Sequence, residues 1–109
     1  MTLTSFISPY RSDRATAREL HRSRSVPFIE VYVHVPLEIA ESRDPKGLYA
    51  KARRGEIKDF TGISAPYEEP ENPEVVIKSG ENGVEEAVVQ IVDYLRKQGL
   101  LAEKNKEMA

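Results

Sequence analysis

Apolar and polar residues alternate along this chain in a way that predicts three strands and four helices. Residues 3–7 are short, β-branched and aromatic, and read as a strand that stops at Ser8-Pro9. Ser8 is suited to cap a helix and Pro9 to open one, with Ala15, Ala17, Arg18, Glu19 and Leu20 carrying that helix to about His21. The clearest strand covers residues 28–35. Ile29, Val31, Val33 and Val35 share one face, expected to be buried, while Phe28, Glu30, Tyr32 and His34 share the other. A short helix over 36–42 and another over 47–54, ended by Gly55, follow. Residues 74–78 form a strand apolar enough for burial on both sides, as in a parallel sheet. The last helix is expected to be capped by Asn82 and stopped by Gly99, with Val84, Val88, Ile91, Val92 and Leu95 as its buried stripe. Residues 102–109 read as a flexible tail.

Strands alternating with helices indicate α/β architecture with a mainly parallel sheet. Ligands in such folds sit beyond the carboxyl ends of the strands, which puts Ser8, the corner at residues 34–36 and Ser79-Gly80 on one edge. A hydroxyl at a strand-to-helix junction is a common place to bind phosphate.

Composition narrows the chemistry. The 109 residues carry a net charge of −2, so no global field favours nucleic acid. Basic residues instead cluster locally, at Arg11, Arg14, Arg18, Arg22 and Arg24 and again over 43–58, which suits a small anionic ligand, although a solvated helix face accounts for the first cluster equally well. There is no cysteine, hence no disulfide, thiolate metal site or cysteine nucleophile, and the spacing of His21 and His34 suggests no metal motif. His34 lies where a site could form, or else is a hydrogen-bonded structural histidine. No apolar run is long enough to span a membrane, and a cytoplasmic protein is the default expectation.

The segment 43–66, RDPKGLYAKARRGEIKDFTGISAP, carries the strongest functional signal. Gly47, Gly55 and Gly62 let the backbone bend, several cations could neutralise an anion, and Tyr49 and Phe60 supply flat rings. The combination suits a mobile lid over an anionic, flat-ringed ligand.

Three segments, T-S-F-I-S-P-Y-R-S-D-R (4–14), F-I-E-V-Y-V-H-V-P-L-E (28–38) and R-D-P-K-G-L-Y-A-K-A-R-R-G-E-I-K-D-F-T-G-I (43–63), together resemble the C-terminal part of adenylylsulfate kinase, closest to the fungal and animal forms. The resemblance runs through residues 1–101, with 43–66 as the substrate lid. It implies a P-loop, three-layer α/β domain that is usually a homodimer. It further implies transfer of the γ-phosphoryl group of ATP, with Mg²⁺, to the 3′-hydroxyl of adenosine 5′-phosphosulfate in sulfate assimilation. By motif, Ile7 and Ser8 fall at the substrate edge, and Ser8 matches the family's phosphoserine position. Bottom-up, Ser8 also reads as a capping hydroxyl near an anion, since no base neighbours it in sequence. The resemblance gives Lys46 a substrate contact, makes Asp59 and Phe60 the lid pair over the substrate adenine, with Phe60 stacking, and places Ala87 near the ATP adenine.

The chain departs from this pattern in having no G-x-x-x-x-G-K-S/T motif, which the family carries upstream of the region matched here. The expectation is a partial fold without the first P-loop strand and helix, marginally stable and inactive on ATP by itself. His34 and Asp59 also replace residues more common in the family. A non-catalytic module that binds adenylylsulfate or dimerises is the alternative reading, and a nucleic-acid binder using the first basic cluster is a third.

Overall fold

A computed structural model describes residues 1–102. Six elements follow in chain order: α1 (Arg11–Arg22), β1 (Val31–His34), α2 (Leu37–Arg43), α3 (Leu48–Arg53), β2 (Val75–Lys78) and α4 (Val84–Lys97). They divide between two compact units, one made of Met1–Ile29 and Leu37–Asn72, the other of Glu30–Pro36 and the chain from Pro73 onward.

The second unit holds the sheet. β1 and β2 pair in parallel, with Val31 opposite Val75 and Val33 opposite Ile77. The parallel pairing is as expected, but β2 is buried on one face only: Val75 and Ile77 are buried while Val76 between them is 38% exposed, so the expected burial on both sides is not met. The ladder is continued at both ends by Val75 N–H to Glu30 O (3.2 Å) and Ser79 N–H to His34 O (2.8 Å). Helix α4 packs on β2 rather than β1. Leu95 is buried, while Val84 at the other end of the expected stripe is 81% exposed and Val88 53%. The stripe is therefore covered only towards its C-terminal end. The same limit leaves Val33 of β1 61% exposed, against the expectation of a fully buried face.

The first unit is helical. α1 runs to Arg22 and closes with Ser25 N–H to Arg22 O and Val26 N–H to His21 O, both 3.1 Å or shorter, with Ser25 in the left-handed region (φ 54°). This is the paired-bond closure usual at helix ends. α3 ends the same way, through Gly55 N–H to Ala52 O and Glu56 N–H to Lys51 O, and there the left-handed residue is Gly55 (φ 77°), as its sequence position predicted. Ala52 is the buried residue of α3.

Three local expectations fail. Residues 3–7 form no strand; Leu3, Phe6 and Ile7 are exposed, Phe6 by 79%. Strand propensity is satisfied only by a neighbour that takes the backbone N–H and C=O groups, and no described strand does so. Ser8 does not cap α1, whose boundary residue is Tyr10, and Asn82 does not cap α4, whose boundary residue is Gly83; neither helix has a side-chain cap. The chain takes one or two further extended or turn residues before each helix begins, as Asn82 N–H to Lys78 O (3.0 Å) illustrates. The expected tail at 102–109 lies almost wholly outside the described residues.

Candidate functional site

Five of the six residues singled out by the sequence, Ile7, Ser8, Lys46, Asp59 and Phe60, lie in the first unit. Ala87 lies in the second, half-buried in the first turn of α4.

The loop before α3 is organised by Asp44. Its carboxylate accepts Tyr49 N–H (3.0 Å) and Ala50 N–H (3.1 Å), two donors that the first helical turn leaves without intrahelical partners. Asp44 O accepts Gly47 N–H at 3.0 Å. The turn at 44–47 is thereby pinned at both ends, and the exposed Lys46 stands at its crest. Among the described residues no hydrogen bond or ion pair ties down Lys46. Arg53 and Arg54 differ: Arg53 forms a two-pronged pair with Glu41, which raises its pKa further above the ordinary guanidinium value, and Arg54 pairs with Glu56 at 3.1 Å. Of the lid's cations, Lys46 is thus available to an anion where Arg53 and Arg54 are engaged.

The F-T-G-I-S-A stretch at 60–65 is a closed loop wound around one carbonyl. Phe60 O accepts the N–H groups of Ile63 (3.0 Å), Ser64 (2.8 Å) and Ala65 (2.9 Å), and Phe60 N–H donates to Ser64 Oγ (2.7 Å). Gly62 N–H donates to Ala65 O at 2.8 Å. Gly62 sits at φ 88° beside Leu37 of α2, a conformation that disfavours any side chain. The Phe60 ring meets Tyr49 edge-on, centroids 5.0 Å apart, and remains half-buried. Such an edge contact fixes the ring while leaving part of its surface open to another flat group.

The N-terminal corner is strapped to the residues that follow the lid. Glu68 N–H donates to Pro9 O (2.8 Å), and Arg11 N–H to Glu68 Oε1 (2.8 Å). The Arg11 side chain donates to Glu69 O (2.7 Å) and lies 4.0 Å from Glu71. The Arg14 guanidinium donates to both Ser8 O and Glu68 O and lies over the Tyr67 ring, 5.7 Å from its centroid. Further along α1, Arg18 lies over Phe28 at 5.0 Å, and Arg22 pairs with Glu19, holding that carboxyl below its ordinary range. The first basic cluster is thus largely engaged by its own chain. Asp44 was not picked out by the sequence, and Arg11 and Arg14 entered only as members of the first basic cluster. Their spacing hints at them, since Arg11, Arg14 and Arg18 recur on one helical face and an Asp three residues before Gly47 suits a turn, but the acceptors of Arg11 and the second acceptor of Arg14 lie more than 50 residues away.

Among the described residues, three non-glycine residues have left-handed backbones: Ser8 (φ 41°), Ser25 and Asp59 (φ 53°). Each costs roughly 1–2 kcal/mol. Ser25 ends a helix. Ser8 and Asp59 end none, and both were among the sequence-derived site residues; strain of this kind gathers at functional positions.

In the second unit, Tyr32 Oη and His34 Nδ1 share a 2.8 Å hydrogen bond, which gives His34 a structural partner. A shallow groove of about 370 Å³ lies along β2 and α4 beside Val76, Gln90 and Tyr94. It is also lined by Glu74, Asp93 and Lys97 and contains none of the sequence-derived residues. Among the described residues, no cluster of three or more His, Cys, Asp or Glu side chains could hold a metal ion, and no helix is long and apolar enough to cross a membrane.

Comparison with known proteins is consistent with the motifs. The chain is 59% identical to the adenylyl-sulfate kinase of Penicillium chrysogenum, over 97% of its own length and 53% of that protein's. It is likewise 59% identical to the adenylyl-sulfate kinase of Saccharomyces cerevisiae, over 87% of its length and 47% of that protein's. The solved APS kinase CysC of Mycobacterium tuberculosis, in complex with AMPPNP and APS, superposes with a TM-score of 0.79 at 44% identity, covering 84% of this chain and 52% of that one. The chain therefore spans about half the length of the relatives it matches. The family model described as adenylylsulphate kinase matches residues 1–78, and on these grounds the chain belongs to the adenylylsulfate kinase family.

Proposed function

We propose that this chain supplies the substrate-binding portion of an adenylylsulfate kinase, holding adenosine 5′-phosphosulfate between the Ser8 corner and the lid. The observation that carries the reading is the 60–65 loop. It spends its backbone hydrogen bonds on presenting one ring, Phe60, supported edge-on by Tyr49 and left half-open. An aromatic ring so presented stacks on a purine whatever its edges display. Lys46, pinned at the crest of the Asp44 turn and without an ion partner among the described residues, is the cation offered to phosphate or sulfate oxygens. Ser8 contributes a hydroxyl at the substrate edge, with Ile7 beside it, and Asp59 sets the entry of the lid loop. The M. tuberculosis relative solved with AMPPNP and APS supports the choice of ligands.

In the full reaction the γ-phosphoryl group of ATP passes to the 3′-hydroxyl of the nucleotide. Such transfer is chiefly positioning and charge stabilisation, and the residues above perform the positioning of the acceptor. Ala87 is assigned by resemblance to the ATP side. Mg²⁺ accompanies the phosphates of ATP in such reactions, usually through one or two carboxylates and the phosphates themselves. The described residues form no metal-holding cluster, so no step is assigned to the metal here. The sequence contains no G-x-x-x-x-G-K-S/T loop, and we infer that these 109 residues alone bind the nucleotide sulfate without turning over ATP. A homodimeric, cytoplasmic setting belongs to the family-based proposal.

Calorimetric titration with adenosine 5′-phosphosulfate and with ATP, alongside an assay for 3′-phosphorylated product, tests the reading. Binding of the first nucleotide without turnover is expected. Absence of binding sinks the proposal, and product formation contradicts the inference of inactivity.

A further inference from the structure

We propose that Arg14 is a positioning residue that locks the Ser8 corner to the returning end of the lid. Its guanidinium donates to two backbone carbonyls 60 residues apart in sequence, Ser8 O and Glu68 O, while lying over the Tyr67 ring. A planar fork of N–H donors can span two such acceptors at once; a lysine ammonium has the charge but not the fork. The bridge does not stand alone. Glu68 N–H to Pro9 O, and Arg11 N–H to the Glu68 carboxylate, fasten the same two stretches on either side of it.

The bridge accounts for the conformation of Ser8. Ser25 is left-handed because a helix ends there, whereas Ser8 is left-handed with no helix end and no side-chain cap to account for it. A strained residue persists when its surroundings over-determine it, and Arg14, reaching back from the first turn of α1 to the Ser8 carbonyl, supplies that constraint. Its second arm passes the constraint to Glu68, so the orientation of the Ser8 hydroxyl and the anchoring of the lid become one structural fact. The consequence for ligand binding rests on the function proposed above; the backbone lock does not.

The test compares the full chain with Arg14→Lys and Arg14→Ala, by amide hydrogen exchange and by calorimetry with adenosine 5′-phosphosulfate. Both variants are expected to speed exchange of the Glu68 amide about ten-fold, leaving the Val75 and Ser79 amides of the sheet unchanged, and to weaken nucleotide binding by about the same factor. Wild-type exchange at Glu68 in either variant overturns the lock. So does full retention of affinity and protection by Arg14→Lys, which would make the role one of charge alone. Loss of protection at Val75 and Ser79 also overturns it, since the residue would then serve folding in general. If the wild-type chain fails to bind the nucleotide, the proposed function falls and the exchange measurements still decide the lock.

Discussion

Replacing Asp44 with alanine removes one carboxylate that serves two backbone donors, Tyr49 N–H at 3.0 Å and Ala50 N–H at 3.1 Å. Loss of a helix-capping oxygen typically costs about 0.5–2 kcal/mol. Here two donors lose their acceptor together and the acceptor is charged, which argues for the upper half of that range; partial exposure of the turn tempers it, because water can replace the oxygen. About 1.5 kcal/mol follows, a shift of roughly ten-fold in the opening equilibrium of the first turn of α3. Amide exchange followed by NMR reads this directly: the Tyr49 and Ala50 amides of Asp44→Ala should exchange about ten times faster. Asp44→Asn, which keeps an acceptor and loses the charge, should fall between. The effect should reach the Phe60 ring through its contact with Tyr49 and should not reach Val75 or Ser79 in the other unit. Unchanged protection at Tyr49 and Ala50 would refute the capping argument, and equal loss of protection in both units would show that Asp44 acts on global stability.

Phe60→Ala leaves the carbonyl that organises residues 60–65 in place and removes the ring, so the loop should persist while affinity for adenosine 5′-phosphosulfate falls about ten-fold or more, as base–aromatic stacking is worth ~1–3 kcal/mol; calorimetry with Phe60→Ala checks this, and undiminished affinity counts against stacking. Gly62→Ala introduces a Cβ only 3.6 Å from Leu37 Cδ1, an ordinary contact, so its cost of roughly 1–2 kcal/mol comes from the backbone at φ 88°. Chemical denaturation should register that loss, while Gly83→Ala, at a negative φ with nothing within 4 Å, should not be destabilised comparably.

What could be read in advance was local. Gly55 and Gly99 end helices because a left-handed residue there frees the closing N–H groups to bond backwards, a matter settled within six residues. The apolar run of β2 foretold the burial of Val75 and Ile77 but not the exposure of Val76 between them, because a run does not say that only one face is covered. Residues 3–7 failed because a strand is a property of two segments, and propensity names only one. Val84 and Val88 failed similarly, since periodicity identifies a face but not how much of it is covered. Ser8, Lys46, Asp59 and Phe60 were proposed as site residues from motifs. Arg14 and Arg11 were legible only as charge, because their acceptors on Glu68 and Glu69 lie 54 to 58 residues away.

The most direct test of the central claim is an NMR titration of the isotopically labelled chain with adenosine 5′-phosphosulfate. The account predicts that the amides of Ser8, Lys46 and Phe60 shift together along one saturating curve. Shifts confined to the α4 groove around Gln90 and Tyr94, with those three amides unmoved at saturation, would contradict it.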